Sequence, residues 1–139
     1  MCGISGYITH KNFLKINSIK DTLKLMKRRG PDFSSHYKEN LGSSELALLH
    51  TRLSIIDLNI RSNQPFVDKQ FVLIFNGEIY NYEEIKKKLK KKNYKFKTNS
   101  DTEVLIKSYQ EYGEDCVNHF VGMWAFAIWD LKKKKTFFI

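Results

Sequence analysis

Apolar and polar positions in this chain change period from segment to segment, and the changes mark out its elements. Residues 2–9 form a short apolar run containing Gly3 and Gly6, which reads as a strand. Ile19, Leu23 and Met26 then recur at helical spacing, and Ser18 with Asp21 three residues later resembles a capping box. That helix is expected to stop at Arg28-Arg29-Gly30-Pro31, where basic residues in a last turn precede glycine and proline. Residues 33–38 and 45–51 read as two strands. The run Gln70-Phe71-Val72-Leu73-Ile74-Phe75 reads as another, and Asn76-Gly77 directly after it predicts a tight hairpin turn. Asn81 with Glu84 is expected to cap a second helix with Ile85 and Leu89 in the core. Ser100 with Glu103 marks a third, carrying Leu105, Tyr109 and Tyr112 along one face. Met123 to Asp130 and Thr136 to Ile139 read as a hairpin across Lys132 to Lys135. Strands outnumber helices and their connections read as hairpins, so the expected class is α+β with antiparallel sheets.

Composition narrows the class. With 139 residues, 42% of them hydrophobic and 14% aromatic, the chain can bury a core and is not a disordered segment. No repeat or linker divides it, so one domain is expected. No apolar run approaches the roughly 20 residues of a membrane span. The N-terminus lacks the basic start and long apolar stretch of a secretory signal, which points to the cytosol. The sequence ends at Phe137-Phe138-Ile139, inside an expected strand, as a piece of a longer chain would. A net charge of +9 invites a nucleic-acid reading, but only Arg28, Arg29, Arg52 and Arg61 among the 24 basic residues are arginines. Arginine is the side chain that reads bases and phosphates with two parallel bonds. The lysine runs, Lys86 to Lys92 broken by Leu89 and Lys132 to Lys135, read as a solvated helix face and a turn. No nucleic-acid partner is expected. Cys2 and Cys116 are too few for a disulfide framework or a zinc site, and each reads as a separate thiol. Cys116, with no basic neighbour close in sequence, reads as a buried structural thiol.

Candidate chemistry begins at Cys2. A second residue this small permits removal of Met1, leaving an α-amine and a thiol on one residue. An α-amine titrates at about 7.7–8.0 and can act as a general base. A thiol beside such a base is an activated nucleophile that needs no histidine. On its own, Cys2 is better read as an accidental second residue. His10, His36, His50 and His119 fall in no nucleophile or metal motif, and His50 on a strand reads as a hydrogen-bonded structural group. No glycine-rich phosphate loop is present, so no ATP site is expected in these residues. An asparagine carboxamide beside a backbone N–H, as at Asn76-Gly77, can bind a developing oxyanion, though any Asn-Gly taken alone is better read as a turn. Arg52, set in the apolar run His50 to Ile56, needs a carboxylate from the fold or from a ligand. Asp101 sits at an expected helix start, where the macrodipole favours it.

Jointly, six segments resemble the class II glutamine amidotransferase domain of the N-terminal-nucleophile hydrolases. They are Met1-Cys2-Gly3-Ile4, Arg29-Gly30-Pro31-Asp32, His50 to Asp57, Phe75 to Asn81, Ser100-Asp101-Thr102-Glu103 and Gly122 to Ala127. Their order fits, and the match spans almost the whole chain. Within the class, the Arg-Gly-Pro-Asp, Arg-Leu-Ser-Ile-Ile-Asp and Asn-Gly-Glu-Ile-Tyr-Asn versions resemble those of glutamine-hydrolysing asparagine synthetases. Some sugar-modifying amidotransferases share them, so the acceptor stays open.

The resemblance implies a four-layer αββα sandwich whose last strands lie beyond Ile139. It implies that Arg52 holds the α-carboxylate of glutamine, that Asp101 with Glu78 holds the α-ammonium, and that Leu53, Ser54, Ile55 and Ile56 line the pocket. Cys2 attacks the side-chain amide while its own amine manages the proton, and Asn76 and Gly77 hold the oxyanion. Within these residues no cofactor is implied. ATP and Mg²⁺ belong to a C-terminal synthetase domain outside them, which activates aspartate and receives ammonia through a tunnel, with a homodimer as a candidate assembly.

Overall fold

A computed structural model of the protein describes residues 2–11, 13 and 18–139. Among these, seven strands form two antiparallel sheets. The first contains β1 (Gly3–His10), β2 (Phe33–Leu41) and β3 (Ser44–Arg52) in the order β1-β3-β2. The second contains β4 (Phe66–Asp68), β5 (Phe71–Ile79), β6 (Gly122–Asp130) and β7 (Lys135–Phe138) in chain order.

The run at 71–75 is continuously apolar because both faces of β5 are buried, whereas a strand with one wet face would alternate. Val72 and Ile74 point toward the first sheet and pack with Leu46 and Leu48 of β3 and Trp129 of β6. Leu73 and Phe75 point the other way, joining Phe126 and Ile128 of β6 in a core closed by two helices. These are α2 (Tyr82–Lys91), through Ile85 and Leu89, and α3 (Asp101–Tyr112), through Val104, Leu105 and Ile106. On the outer side of the first sheet lies α1 (Ser18–Met26), tied down where the Thr51 hydroxyl donates to the Met26 carbonyl at 3.1 Å. The layers are therefore helix, sheet, sheet, helices, which is the α+β αββα sandwich expected.

Several local expectations are corrected. Asn76-Gly77 is not a turn: both residues lie within β5, opposite Ala125 and Trp124 of β6. Glycine is needed there for close approach, since a Cβ on Gly77 would lie 2.3 Å from the Met123 carbonyl oxygen and 2.6 Å from Trp124 Cα. Ser18 is the first residue of α1 rather than its cap. Asn81 precedes α2 but makes no side-chain cap; its carboxamide accepts from Val121 N–H and donates to the His119 carbonyl, both at 2.9 Å. At α3 only half of the capping box forms. Ser100 Oγ accepts from Glu103 N–H at 3.4 Å, while the Glu103 carboxylate turns to the N–H groups of Lys97 and Thr98. Lys86 departs from its solvated run. It is buried, donating at 3.0 Å to the Thr98 carbonyl and to Asn99 Oδ1, with Nζ 5.4 Å from the centre of the Phe96 ring. Lys87, Lys88, Lys90 and Lys91 are exposed as expected. Among the described residues no helix is long and apolar enough to cross a membrane.

Candidate active site

Cys2 stands just before β1, and the segment after α1 fixes it there. Arg29 Nε donates to the Cys2 carbonyl at 3.0 Å. Gly30 passes so close to β3 that a Cβ would lie 2.3 Å from the Thr51 carbonyl. Asp32 then accepts the Ser54 N–H at 2.7 Å, while its own N–H donates to the Arg52 carbonyl at 3.0 Å. What reads in sequence as a helix stop is thus also a buckle between the N-terminus and the end of β3. It brings the thiol to Leu53, whose N–H points at Sγ from 3.4 Å, with the Leu53 carbonyl 3.7 Å away. The removal of Met1 lies outside the described residues.

Asn76 and Gly77 are reached by β5 just as it leaves the core. The partner strand β4 has already ended, its last pairing being Phe66 with Leu73. Side chains take over its work: Gln64 Oε1 accepts Phe75 N–H at 2.6 Å, and His50 Nε2 meets the Phe75 carbonyl at 3.2 Å. Burial pushes the His50 imidazole down to about 4, so it is neutral at ordinary pH and serves as a tie between the sheets. His50 therefore has the structural role expected of it. Its Nδ1 and the Oδ1 of Asn76 are buried with no partner among the described residues.

Opposite this strand lie the charged groups. Arg52 closes β3 and is 5% exposed. Its Nη1 donates to the Asn59 carbonyl at 3.1 Å and to Asn63 Oδ1 at 2.7 Å. Its Nη2 donates to the carbonyls of Ile56 at 3.2 Å and Asp57 at 2.5 Å. The guanidinium thereby folds residues 53–63 around itself, leaving Nε–H as its one N–H without a partner among the described residues. Asp101 opens α3, accepting Ile79 N–H at 3.2 Å and Thr102 N–H at 2.9 Å. Burial lifts its carboxyl to about 6, the nearby charge of Glu78 acting in the same direction.

These groups enclose one cavity of about 210 Å³. Cys2, Arg52, Asn76, Gly77, Glu78 and Asp101 all line it. Leu53, Ile55 and Ile56 line it too, whereas Ser54 does not and is spent on Asp32. Sequence reading passed over Gln64, which lines the cavity, and Arg29, Asp32 and Asp57, which hold its walls. Arg29, Asp32 and Asp57 stand inside the matching segments, and that was their only signal. Cys116 is a free thiol like Cys2 but is fully buried, and desolvation pushes it up to about 12. Among the described residues no three acidic, histidine or cysteine side chains are grouped to hold a metal ion.

An αββα sandwich with a cysteine leading into its first strand, beside an Asn-Gly pair and buried charges of both signs, defines an N-terminal-nucleophile hydrolase architecture. The chain belongs to the class II glutamine amidotransferase domain family, which it matches over residues 1–139. It is 38% identical to the putative asparagine synthetase [glutamine-hydrolyzing] 2 of Methanocaldococcus jannaschii, over 99% of this chain and 29% of that protein. It is 37% identical to asparagine synthetase [glutamine-hydrolyzing] 3 of Bacillus subtilis, over 99% of this chain and 22% of that protein. A similar 37% relates it to amidase chry2 of Gibberella zeae, over 97% of this chain and 22% of that protein. The chain thus spans less than a third of these relatives. In fold it resembles the glutamine phosphoribosylpyrophosphate amidotransferase of Bacillus subtilis, with a TM-score of 0.52, 24% identity and 65% of this chain covered.

Proposed function

We propose that this chain is the glutaminase domain of a glutamine-hydrolysing asparagine synthetase, with Cys2 as its nucleophile. The observation that carries the reading is the convergence of a thiol, an Asn-Gly pair, a guanidinium and a carboxylate on one cavity of about 210 Å³. An amino-acid amide needs all four: a carboxylate clamp, an ammonium clamp, a nucleophile and a stabiliser for the tetrahedral oxygen. Arg52 supplies positive charge and its Nε–H to the α-carboxylate, and Asp101, with Glu78 at the rim, takes the α-ammonium. The arriving cation restores the charged form of Asp101 that burial disfavours.

In the reaction, Cys2 Sγ bonds to the side-chain carbonyl carbon and its proton passes to the α-amine freed by loss of Met1. The carbonyl oxygen, now an anion, is held by the Asn76 carboxamide N–H and the Gly77 backbone N–H. The C–N bond breaks, the amine returns the proton to the departing nitrogen, and ammonia leaves. Water then adds to the γ-glutamyl thioester, its S–C bond breaks, and glutamate departs. In the complete protein, a synthetase domain beyond these residues uses ATP and Mg²⁺ to activate aspartate and takes the ammonia through a tunnel, in the cytoplasm and with a homodimer as the assembly. The similarity to amidase chry2 supports a second reading, the same glutaminase chemistry serving another acceptor. Tracing ¹⁵N from the glutamine amide in the complete protein separates the two.

The primary test is the intact mass of the chain before and after 6-diazo-5-oxo-norleucine, a glutamine analogue that alkylates its target thiol. Loss of Met1 and one adduct, mapped to Cys2, is expected. A chain that has lost Met1 yet takes no adduct overturns the assignment.

A further inference from the structure

The amino-acid end of the cavity is built from two segments distant in sequence, the loop at 53–63 and the stretch 96–100 that delivers Asp101. Neither is a strand or a helix, apart from the short 3-10 turn Ile60–Ser62 in the first, so side chains must fix the distance between them. Asp57 spans the gap. Its carbonyl accepts Arg52 Nη2 at 2.5 Å, while its carboxylate reaches the other segment and accepts Asn99 N–H at 2.8 Å through Oδ2. The other oxygen, Oδ1, accepts Asn59 N–H at 3.2 Å, and Arg61 lies 3.4 Å from Oδ2. Asn99 is two residues before Asp101, and its side chain takes Lys86 Nζ at 3.0 Å. Asp57 does not itself line the cavity. Its backbone has φ of 48°, a left-handed conformation that glycine adopts with less strain than any other residue. The position therefore gains from an aspartate only through the carboxylate.

Taking the cavity as the glutamine site proposed above, we infer that Asp57 is a positioning residue that sets the spacing between the Arg52 and Asp101 clamps. It touches no substrate atom. It ties the carboxylate clamp to the ammonium clamp, so that the two are held at the separation of the groups on one α-carbon. The inferred selectivity is for an α-amino acid with both groups free, over an amide lacking either.

The test compares two alkylating reagents on the chain from Cys2 to Ile139, with Cys2 as its first residue. 6-Diazo-5-oxo-norleucine needs both clamps, while iodoacetamide needs only an accessible Cys2 thiol. Asp57→Gly suits the backbone and deletes the bridge; Asp57→Asn keeps the size and one acceptor oxygen. The concentration of analogue giving half-maximal labelling is expected to rise by at least about tenfold in Asp57→Gly and less in Asp57→Asn, because small displacements of positioned groups cost this much. The limiting labelling rate and the iodoacetamide rate stay within about twofold of wild type, since the thiol wall is untouched. An unchanged half-saturation in Asp57→Gly overturns the inference. Equal slowing with both reagents also overturns it, since that marks general loosening of the fold. Wild-type chain that reacts with iodoacetamide but never with the analogue removes the glutamine site itself, and the inference falls with it.

Discussion

On one side of the cavity, Asn76 and Gly77 are links in a strand whose pairing with β6 continues past them to Ile79. On the other, Arg52 and Asp101 belong to a strand end and a helix start joined to irregular chain, where hydrogen bonds from side chains do the holding. The proposed oxyanion donors thus sit on a paired backbone that resists displacement, and the groups proposed to recognise the amino acid sit on chain that can be retuned by single side chains. Catalysis tolerates errors of position poorly, whereas recognition grades smoothly with them.

The two walls should accordingly fail in different ways. The largest effect is expected from Cys2→Ala, which removes the proposed nucleophile and should leave no measurable glutamate release from glutamine. Next, Gly77→Ala forces a Cβ against the Met123 carbonyl and Trp124 Cα. Overpacking of this kind costs about 1–3 kcal/mol, so chemical denaturation should show lost stability together with lost turnover. Asn76→Ala should lower kcat by about 10²–10³, the usual cost of one oxyanion donor, with little change in KM. On the recognition wall, Arg52→Lys keeps the charge but cannot serve four acceptors. Its KM for glutamine should rise roughly tenfold or more while kcat moves less, since the α-carboxylate that the displaced cation would hold is the same in ground state and transition state.

A gentler probe of the same wall is pH. Asp101 holds its proton up to about 6, so kcat/KM for glutamine should fall as pH drops through that value, and the fall should be absent in whatever activity Asp101→Asn retains. An acid limb that survives in Asp101→Asn would assign the titration to another group. The smallest effect concerns Cys116, whose thiol is buried and pushed up to about 12. Alkylation of the folded chain should spare it, and peptide mapping should find the label on Cys2 alone until denaturant is added.

The sequence pattern located the large elements because the long strands and helices each carry an apolar face with its own period. It failed at Asn76-Gly77, where the dipeptide rule expects a turn. The glycine serves there for contact with Trp124, a residue 47 positions away in the numbering, and no local rule contains that contact. It overlooked β4, whose three residues are too few to show a period. It placed Lys86 in solvent because a lysine run looks uniform, although only this member turns inward to Thr98 and Asn99. The residues lining the cavity were found through the resemblance, since their types and order match a known site. Gln64 escaped because a side chain that replaces a missing strand partner leaves no mark in composition or spacing.

His50 carries a further consequence when set beside Asp101. In the unfolded chain a histidine charges below about 6.5 and an aspartate loses its proton above about 3.9. Folding reverses both preferences: His50 stays neutral down to about 4, and Asp101 stays neutral up to about 6. Lowering the histidine value makes the fold less stable as pH falls through this window; raising the aspartate value makes it less stable as pH rises. Between about 4 and 6, folding therefore moves a proton's worth of occupancy from one site to the other with almost no net exchange with solvent. For this pair, mild acid is expected to switch off the recognition proposed for Asp101 while leaving the balance between folded and unfolded chain nearly where it was.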